Sequence, residues 1–497
     1  VHRFSTTLVP TYASDISELD LEDLETAITS AKQAVNATPT DHPNRASWLN
    51  NLGNHLGNRY ERTRNIEDLE AAITHAGQAV KSTAEDHPDR ASWLNNFGVH
   101  LATRYERTGD LIDLEVAITH AEQLLETTPE AHPDRALWLN NLGNRLSSRY
   151  ERTGDLEDLN TAITHAEQAI KITPQDHPNR TTRLNNLGLH LRSRYEQTGD
   201  LEDLEAAIDA WIVSWSVPTA SILERIQGAA YASDALVFRL SSSLSPKNIY
   251  RACPILHDAT HLIPLATSRS LKREDQQQIL RDLHGLASLA AAVSLEAGQS
   301  PLEALRLHEL GRSITNSQLL DYRSDISDLM DQHPMLAKDF DSLRQELDSP
   351  FLPMESLSDP FGEATSTSMD YRRQRQQAAI RRRKKVAKDL DDILHRIWQQ
   401  SGFQSFLRAE SEEYFLSAAQ EGPIVLLSAT KLRSDAILLT KQHVTSLPLP
   451  KLSHALVVEY LGTNADDNEV KRELLEWLWS RCRTAGLTGT RLLSQGS

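Results

Sequence analysis

The chain reads as an all-α superhelical solenoid followed by a small partial α/β segment. Three observations say so: a 45-residue unit returns in register, each unit holds two helix signals, and helical periodicity gives way to strand-like runs near residue 423. The unit is clearest over residues 86–130, DHPDRASWLNNFGVHLATRYERTGDLIDLEVAITHAEQLLETTPE. Its landmarks recur as Trp48, Trp93 and Trp138, as Tyr60, Tyr105, Tyr150 and Tyr195, and as Asn65, Asp110, Asp155 and Asp200.

The first helix of each unit is expected to open at His-Pro, where proline has a preset φ and no amide to leave unpaired. Trp48, Leu52, Leu56 and Tyr60 then recur every four residues and present one apolar face. Gly53, Gly98, Gly143 and Gly188 interrupt that helix at about 1 kcal/mol each against alanine, so close approach of the paired helix is expected there. A second helix is announced by a capping Asn or Asp with an acid three positions on: Asp20/Asp23, Asn65/Asp68, Asp110/Asp113, Asp155/Asp158 and Asp200/Asp203. Leu69, Ile73, Ala76 and Val80 form its apolar stripe, and Thr-Gly pairs such as Thr108-Gly109 make the turn between the helices. One such hairpin cannot bury both faces, whereas a stack of them shares a continuous core.

Leu142-Gly143, Gly154-Asp155-Leu156, the run Ala162-Ile163-Thr164-His165-Ala166 and the closing Pro174 resemble a tetratricopeptide repeat, in a form longer than the standard 34-residue unit. The Asn-Asn-Leu run is also similar to kinesin light chain repeats and to related repeats of fungal proteins. The resemblance implies hairpins that stack into a superhelix with a concave binding side. Four domains are expected: tetratricopeptide-like repeats over 1–215, a divergent helical continuation over 216–348, a linker or mobile loop over 349–370, and a basic helix with an α/β segment over 371–497. Within the continuation, helices are expected at 219–239, 246–256, 272–298, 301–319 and 322–347, with Pro254 and Pro264 as breakers. The chain opens on Val1 and its first repeat signal is a second helix near Asp20, so residues 1–15 read either as a weak cap or as the remainder of something longer.

Beyond residue 400, strands are expected at 423–428, 435–440 and 444–449, and a helix at 466–481 bearing Trp477 and Trp479. Residues Phe403 to Leu407, the run Glu421-Gly422-Pro423-Ile424-Val425, Arg433-Ser434-Asp435-Ala436 and the Leu-Pro-Leu-Pro segment at 447–450 resemble the opening of a CHAT domain, a caspase-like fold found with these repeats. In that family the catalytic histidine and cysteine lie on later strands, so neither role is assigned here. Cys482 between Arg481 and Arg483 reads as an incidental thiol, and His443 and His454 as surface residues.

Composition narrows the function classes. A formal charge of −17 disfavours general nucleic-acid binding, which needs positive surface. Two cysteines, Cys253 and Cys482, fit a reducing cytoplasmic compartment, and no run reaches membrane-spanning length. The basic stretch 372–388 reads as a solvated helix face, with nuclear import or an acidic partner as alternatives. His42, His87, His132 and His177, like His75, His120 and His165, recur one repeat apart, about 20 Å, too far to share an ion. No metal, cofactor or catalytic residue is therefore expected. The candidate site is a peptide-binding ladder of Asn50, Asn95, Asn140 and Asn185, with Asn54, Asn144, Leu189 and Arg192 further along the same helices. An asparagine amide offers a peptide backbone one donor and one acceptor group. Equally, these asparagines would link adjacent helices. Three functions follow: a non-catalytic scaffold binding a peptide or helix, the regulatory part of a caspase-like protease whose catalytic His and Cys lie elsewhere, or an array that self-associates through its C-terminal segment.

Overall fold

The computed structural model describes residues 21–85, 87, 89–240, 245–266, 285–319, 325–348, 366–407 and 411–461. The chain is mostly helical and divides into two compact units, residues 1–221 with 346–387, and residues 222–345 with 388–497. The expected helix 466–481, Trp477, Trp479 and Cys482 lie outside the described residues, as do the expected cap 1–15 and most of the expected linker.

In the first unit, α1 (Leu21–Ala37), α3 (Ile66–Lys81), α5 (Leu111–Thr127), α7 (Leu156–Ile172) and α9 (Leu201–Trp215) are second helices. The first helices are α2 (Arg45–Thr63), α4 (Arg90–Thr108), α6 (Arg135–Thr153) and α8 (Arg180–Thr198). Each first helix packs on the second helices before and after it, and α2 meets α4 as α6 meets α8. That is a helical repeat stack. The caps follow the sequence signal: Asn65, Asp110, Asp155 and Asp200 each accept, through Oδ1, the amide two residues on at 3.0–3.1 Å. Gly109, Gly154 and Gly199 end the first helices with φ of 73°, 77° and 74°; Arg64 takes the same left-handed turn in the first unit at φ 56°.

His-Pro differs from expectation. It forms a turn ahead of the helix, Arg45 donating its amide to the His42 carbonyl at 3.0 Å, because proline's fixed φ suits the second position of a turn as well as a helix start. The imidazoles have a local duty: Nδ1 of His42, His87, His132 and His177 accepts the amide two residues on at 3.1–3.2 Å. Arg45, Arg90, Arg135 and Arg180 reach back to two carbonyls at the end of the preceding second helix, closing that terminus.

The tryptophan stripe is graded. Trp93 and Trp138 are 5% and 1% exposed, stacked on His87 and His132, whereas Trp48 is 37% exposed. At the fourth position Arg183 is buried and donates to Thr173 Oγ1 at 2.6 Å; burial pushes its guanidinium down to about 10. Glycine marks close approach at Gly53 and Gly143, where an added Cβ would lie 3.1 Å from the carbonyl of Ala72 or Ala162 on the paired helix. At Gly98 the close neighbour is instead the Arg145 guanidinium of the next repeat.

The basic stretch is not simply a solvated face. It lies in α16 (Ser366–Trp398), which also takes up residues 366–370 of the expected linker. Within the first unit Arg382 pairs with Glu346 at 2.6 Å, Lys384 pairs with Asp176 at 2.5 Å, and buried Arg383 donates to the carbonyls of Thr219 and Leu347. The Lys384 contact holds the Asp176 carboxyl below its usual range. Arg381, Lys385 and Lys388 remain exposed.

In the second unit α10 (Ile222–Phe238), α11 (Pro246–Ala266), α12 (Leu286–Glu296) and α13 (Pro301–Leu319) pack in succession. Pro254 and Pro264 lie inside α11 rather than breaking it. Ile249, Ala252, Leu256, Ala259 and Ile263 are buried along that helix, and their packing outweighs the roughly 3 kcal/mol that an internal proline costs. The helix expected over 322–347 is two, α14 (Asp325–Gln332) and α15 (Pro334–Asp348), because Pro334 has no amide with which to continue the first. After the short α17 (Glu412–Ala418), β1 (Ile424–Ala429), β2 (Ser434–Leu439) and β3 (Val444–Pro448) form an antiparallel meander of order β1-β2-β3, followed by α18 (His454–Leu461). Arg433 clamps buried Asp435 through two 2.7 Å bonds and reaches Glu296 of α12 at 2.8 Å. His443 sits in the β2–β3 turn and His454 opens α18. No helix among the described residues is long and apolar enough to cross a membrane.

Candidate functional site: the face of the first helices

The candidate surface belongs to α2, α4, α6 and α8. Gly53 and Gly143 point at the paired second helix; at 100° per residue, positions one and five further on turn 100–140° away from it. That geometry brings out two rows, Asn54, Val99, Asn144 and Leu189, and Asn58, Thr103, Ser148 and Ser193, all half-buried. The Asn144 Oδ1 atom is buried with no partner among the described residues.

The asparagine ladder is not open to solvent. Asn50, Asn95, Asn140 and Asn185 are 4%, 2%, 3% and 5% exposed. They are joined across repeats: Asn96 Nδ2 donates to Asn50 Oδ1 at 3.2 Å, Asn141 to Asn95 at 3.1 Å, and Asn186 to Asn140 at 3.1 Å. The ladder ends where Ser214 Oγ donates to Asn185 Oδ1 at 2.5 Å, while Trp211 Nε1 donates to the Asn185 carbonyl at 3.2 Å. Each paired amide satisfies a polar group that would otherwise cost about 1–3 kcal/mol to bury. Buried and bonded in this way, Asn50, Asn95 and Asn140 join adjacent first helices. The ones left near solvent are Asn54 and Asn144; Arg192 is buried and lies 3.7 Å from Glu196.

Sequence reasoning missed a second repeated device. Arg59, Arg104, Arg149 and Arg194 each clasp the acid inside the following helix, Asp68, Asp113, Asp158 and Asp203, with paired bonds of 2.5–2.8 Å. These acids read as helix-end carboxylates from their spacing alone, yet the arginine nine residues earlier recurs in every unit and was the available signal. A third column runs along the seam between first helices: His55, His100, Arg145 and His190. Burial lowers His100 and His190 to about 4, so both are neutral at pH 7, each with Nε2 unpaired among the described residues.

What these elements define is a helical repeat array with a small three-stranded C-terminal sheet. No protein-family model matches the chain, and no curated protein matches it.

Proposed function

We propose that the protein is a non-catalytic interaction scaffold of the tetratricopeptide kind, whose first-helix face holds a peptide or helical segment of a partner protein. The observation that carries this reading is the pair of half-buried rows led by Asn54 and Asn58, one residue of each per repeat, on a backing made rigid by the amide ladder and the arginine clasps. The polar members of those rows, Asn54, Asn144, Asn58, Thr103, Ser148 and Ser193, can meet an extended backbone at intervals without reading every residue. A cytoplasmic location, with nuclear entry through 372–388, belongs to the same reading. The test uses the full chain as bait in extract of the source cell, beside an Asn54→Arg/Asn144→Arg variant and a Glu70→Arg control on a second helix. A partner held by the parent and the control but released by the double variant supports the reading; partners indifferent to it would sink it.

The runner-up is the regulatory portion of a caspase-like protease. It is supported by three strands at 424–429, 434–439 and 444–448 and by the Arg433–Asp435 clamp, within the segment that resembles a CHAT domain. A longer transcript carrying a histidine and a cysteine on downstream strands would favour it over the scaffold; on either reading the 497-residue chain itself is not expected to cleave peptides.

A further inference from the structure

The array repeats one interface between first helices, and the upstream side of α2 carries half of that interface with nothing seated on it among the described residues. In α4 the corresponding side is covered: Trp93, Asn96 and His100 are buried, Asn96 bonded to Asn50 and the His100 ring lying against Gly57. The same positions of α2 are Trp48, exposed, and Asn51 and His55, half-buried. The Asn51 side chain has no hydrogen-bond partner among the described residues, and His42 is exposed where His132 and His177 are buried. The downstream end is closed, since Ser214 takes up Asn185 and the Trp211 ring fills the space over Gly188. A head-to-tail stack of copies would have to displace that ring.

The interface also specifies its occupant. What α2 offers α4 is an asparagine carbonyl at position 50 and, seven residues on, no side chain at all: a Cβ on Gly57 would fall 2.6 Å from the His100 ring. Asparagine followed at the seventh position by a small residue recurs as Asn95/Ala102 and Asn140/Ser147. We propose that the Trp48, Asn51 and His55 face is a docking site for one amphipathic helix of a partner protein with this same pattern, an asparagine meeting Asn51 and a small residue meeting His55. The site is separate from the rows that begin at Asn54 and Asn58 and does not depend on their function.

The probe is a labelled peptide of residues 41–63, kept helical by Asn51→Lys and His55→Asp joined as a lactam, which lies about 100–160° around the helix from Asn50 and Gly57 and so on the side away from the contact. Anisotropy is titrated with the full chain. Saturable binding is expected, weakened about tenfold or more by Trp48→Ala or Asn51→Leu in the chain and by Gly57→Trp in the peptide. Melting curves of the two chain variants verify that the fold is retained, and Asn51→Asp, which keeps the size and removes the amide donor, is a second variant should either fail. Absence of saturable binding, or binding indifferent to Asn51→Leu and Gly57→Trp, overturns the proposal. So does light scattering that finds a dimer dissolved by Trp48→Ala, which would give the seat to a second copy, or peptide binding that appears only after removal of residues 1–20, which would give it to the chain itself.

Discussion

The side-chain amide of Asn96 donates to Oδ1 of Asn50 across 46 positions of sequence at 3.2 Å, with both residues buried. This bond sets the register of one repeat on the next. Replacing either residue alone by leucine strands the other amide in the core, at about 1–3 kcal/mol. Replacing both should cost less than the sum, and the difference read from chemical denaturation of the four species measures the coupling.

The graded tryptophans predict unequal losses from the same substitution. Trp138→Ala removes a fully packed ring and should destabilise the first unit by about 3–5 kcal/mol. Trp48→Ala, at an exposed position, should cost about 1 kcal/mol or less. Equal losses in thermal melts would contradict the packing.

Arg64 holds a left-handed turn that glycine holds in the next three units, with φ of 56°. Its Cβ costs about 1–2 kcal/mol there. Against that stand an exposed bond to Glu61 and a ring contact with Tyr60 at 5.7 Å. Arg64→Gly should therefore raise the unfolding midpoint, by about 1 kcal/mol in free energy.

Acid should loosen the first unit. Burial holds His100 and His190 at about 4 and His177 at about 3, all below the unfolded value of 6.5. The unfolded chain thus binds more protons below pH 6.5, and stability falls as pH drops through the window from 6.5 to 4, by about 3 kcal/mol for each such histidine. His100→Leu should blunt the loss between pH 6 and 4 in a denaturation series.

The second unit carries the opposite sign at one place. Glu303, with help from Asp258, raises His257 to about 9, and the ring bridges the two carboxylates at 3.1 and 3.0 Å. The contact that ties α11 to α13 is fully present below pH 6.5 and is lost as pH rises through 9. The ring is part exposed, so its effect on stability is screened; an NMR titration of the imidazole is the direct measurement. Glu303→Gln should bring the midpoint down toward 6.5.

Much of this architecture was legible from local chemistry. The caps at Asn65 to Asp200, the glycine turns after the first helices and the three strands all rest on short-range preferences of the backbone, which a sequence displays directly. Pro254 and Pro264 went the other way, since burial of one face of α11 exceeded a local penalty. The arginine clasps escaped notice because the two partners, nine residues apart, meet only once the hairpin has folded.

The sequence by itself determined that helices come in pairs and that the pairs repeat, because periodicity and capping act within a few residues. Only tertiary structure decided which repeated residues stay near solvent and which face each other. Asn50 and Asn54 are the same residue type one helical turn apart, yet the first is sealed by Asn96 of the next repeat and the second stays at the surface. A side chain's freedom to bind depends on what the neighbouring repeat leaves uncovered, and that is fixed by stacking across 45 residues rather than by anything local to the asparagine.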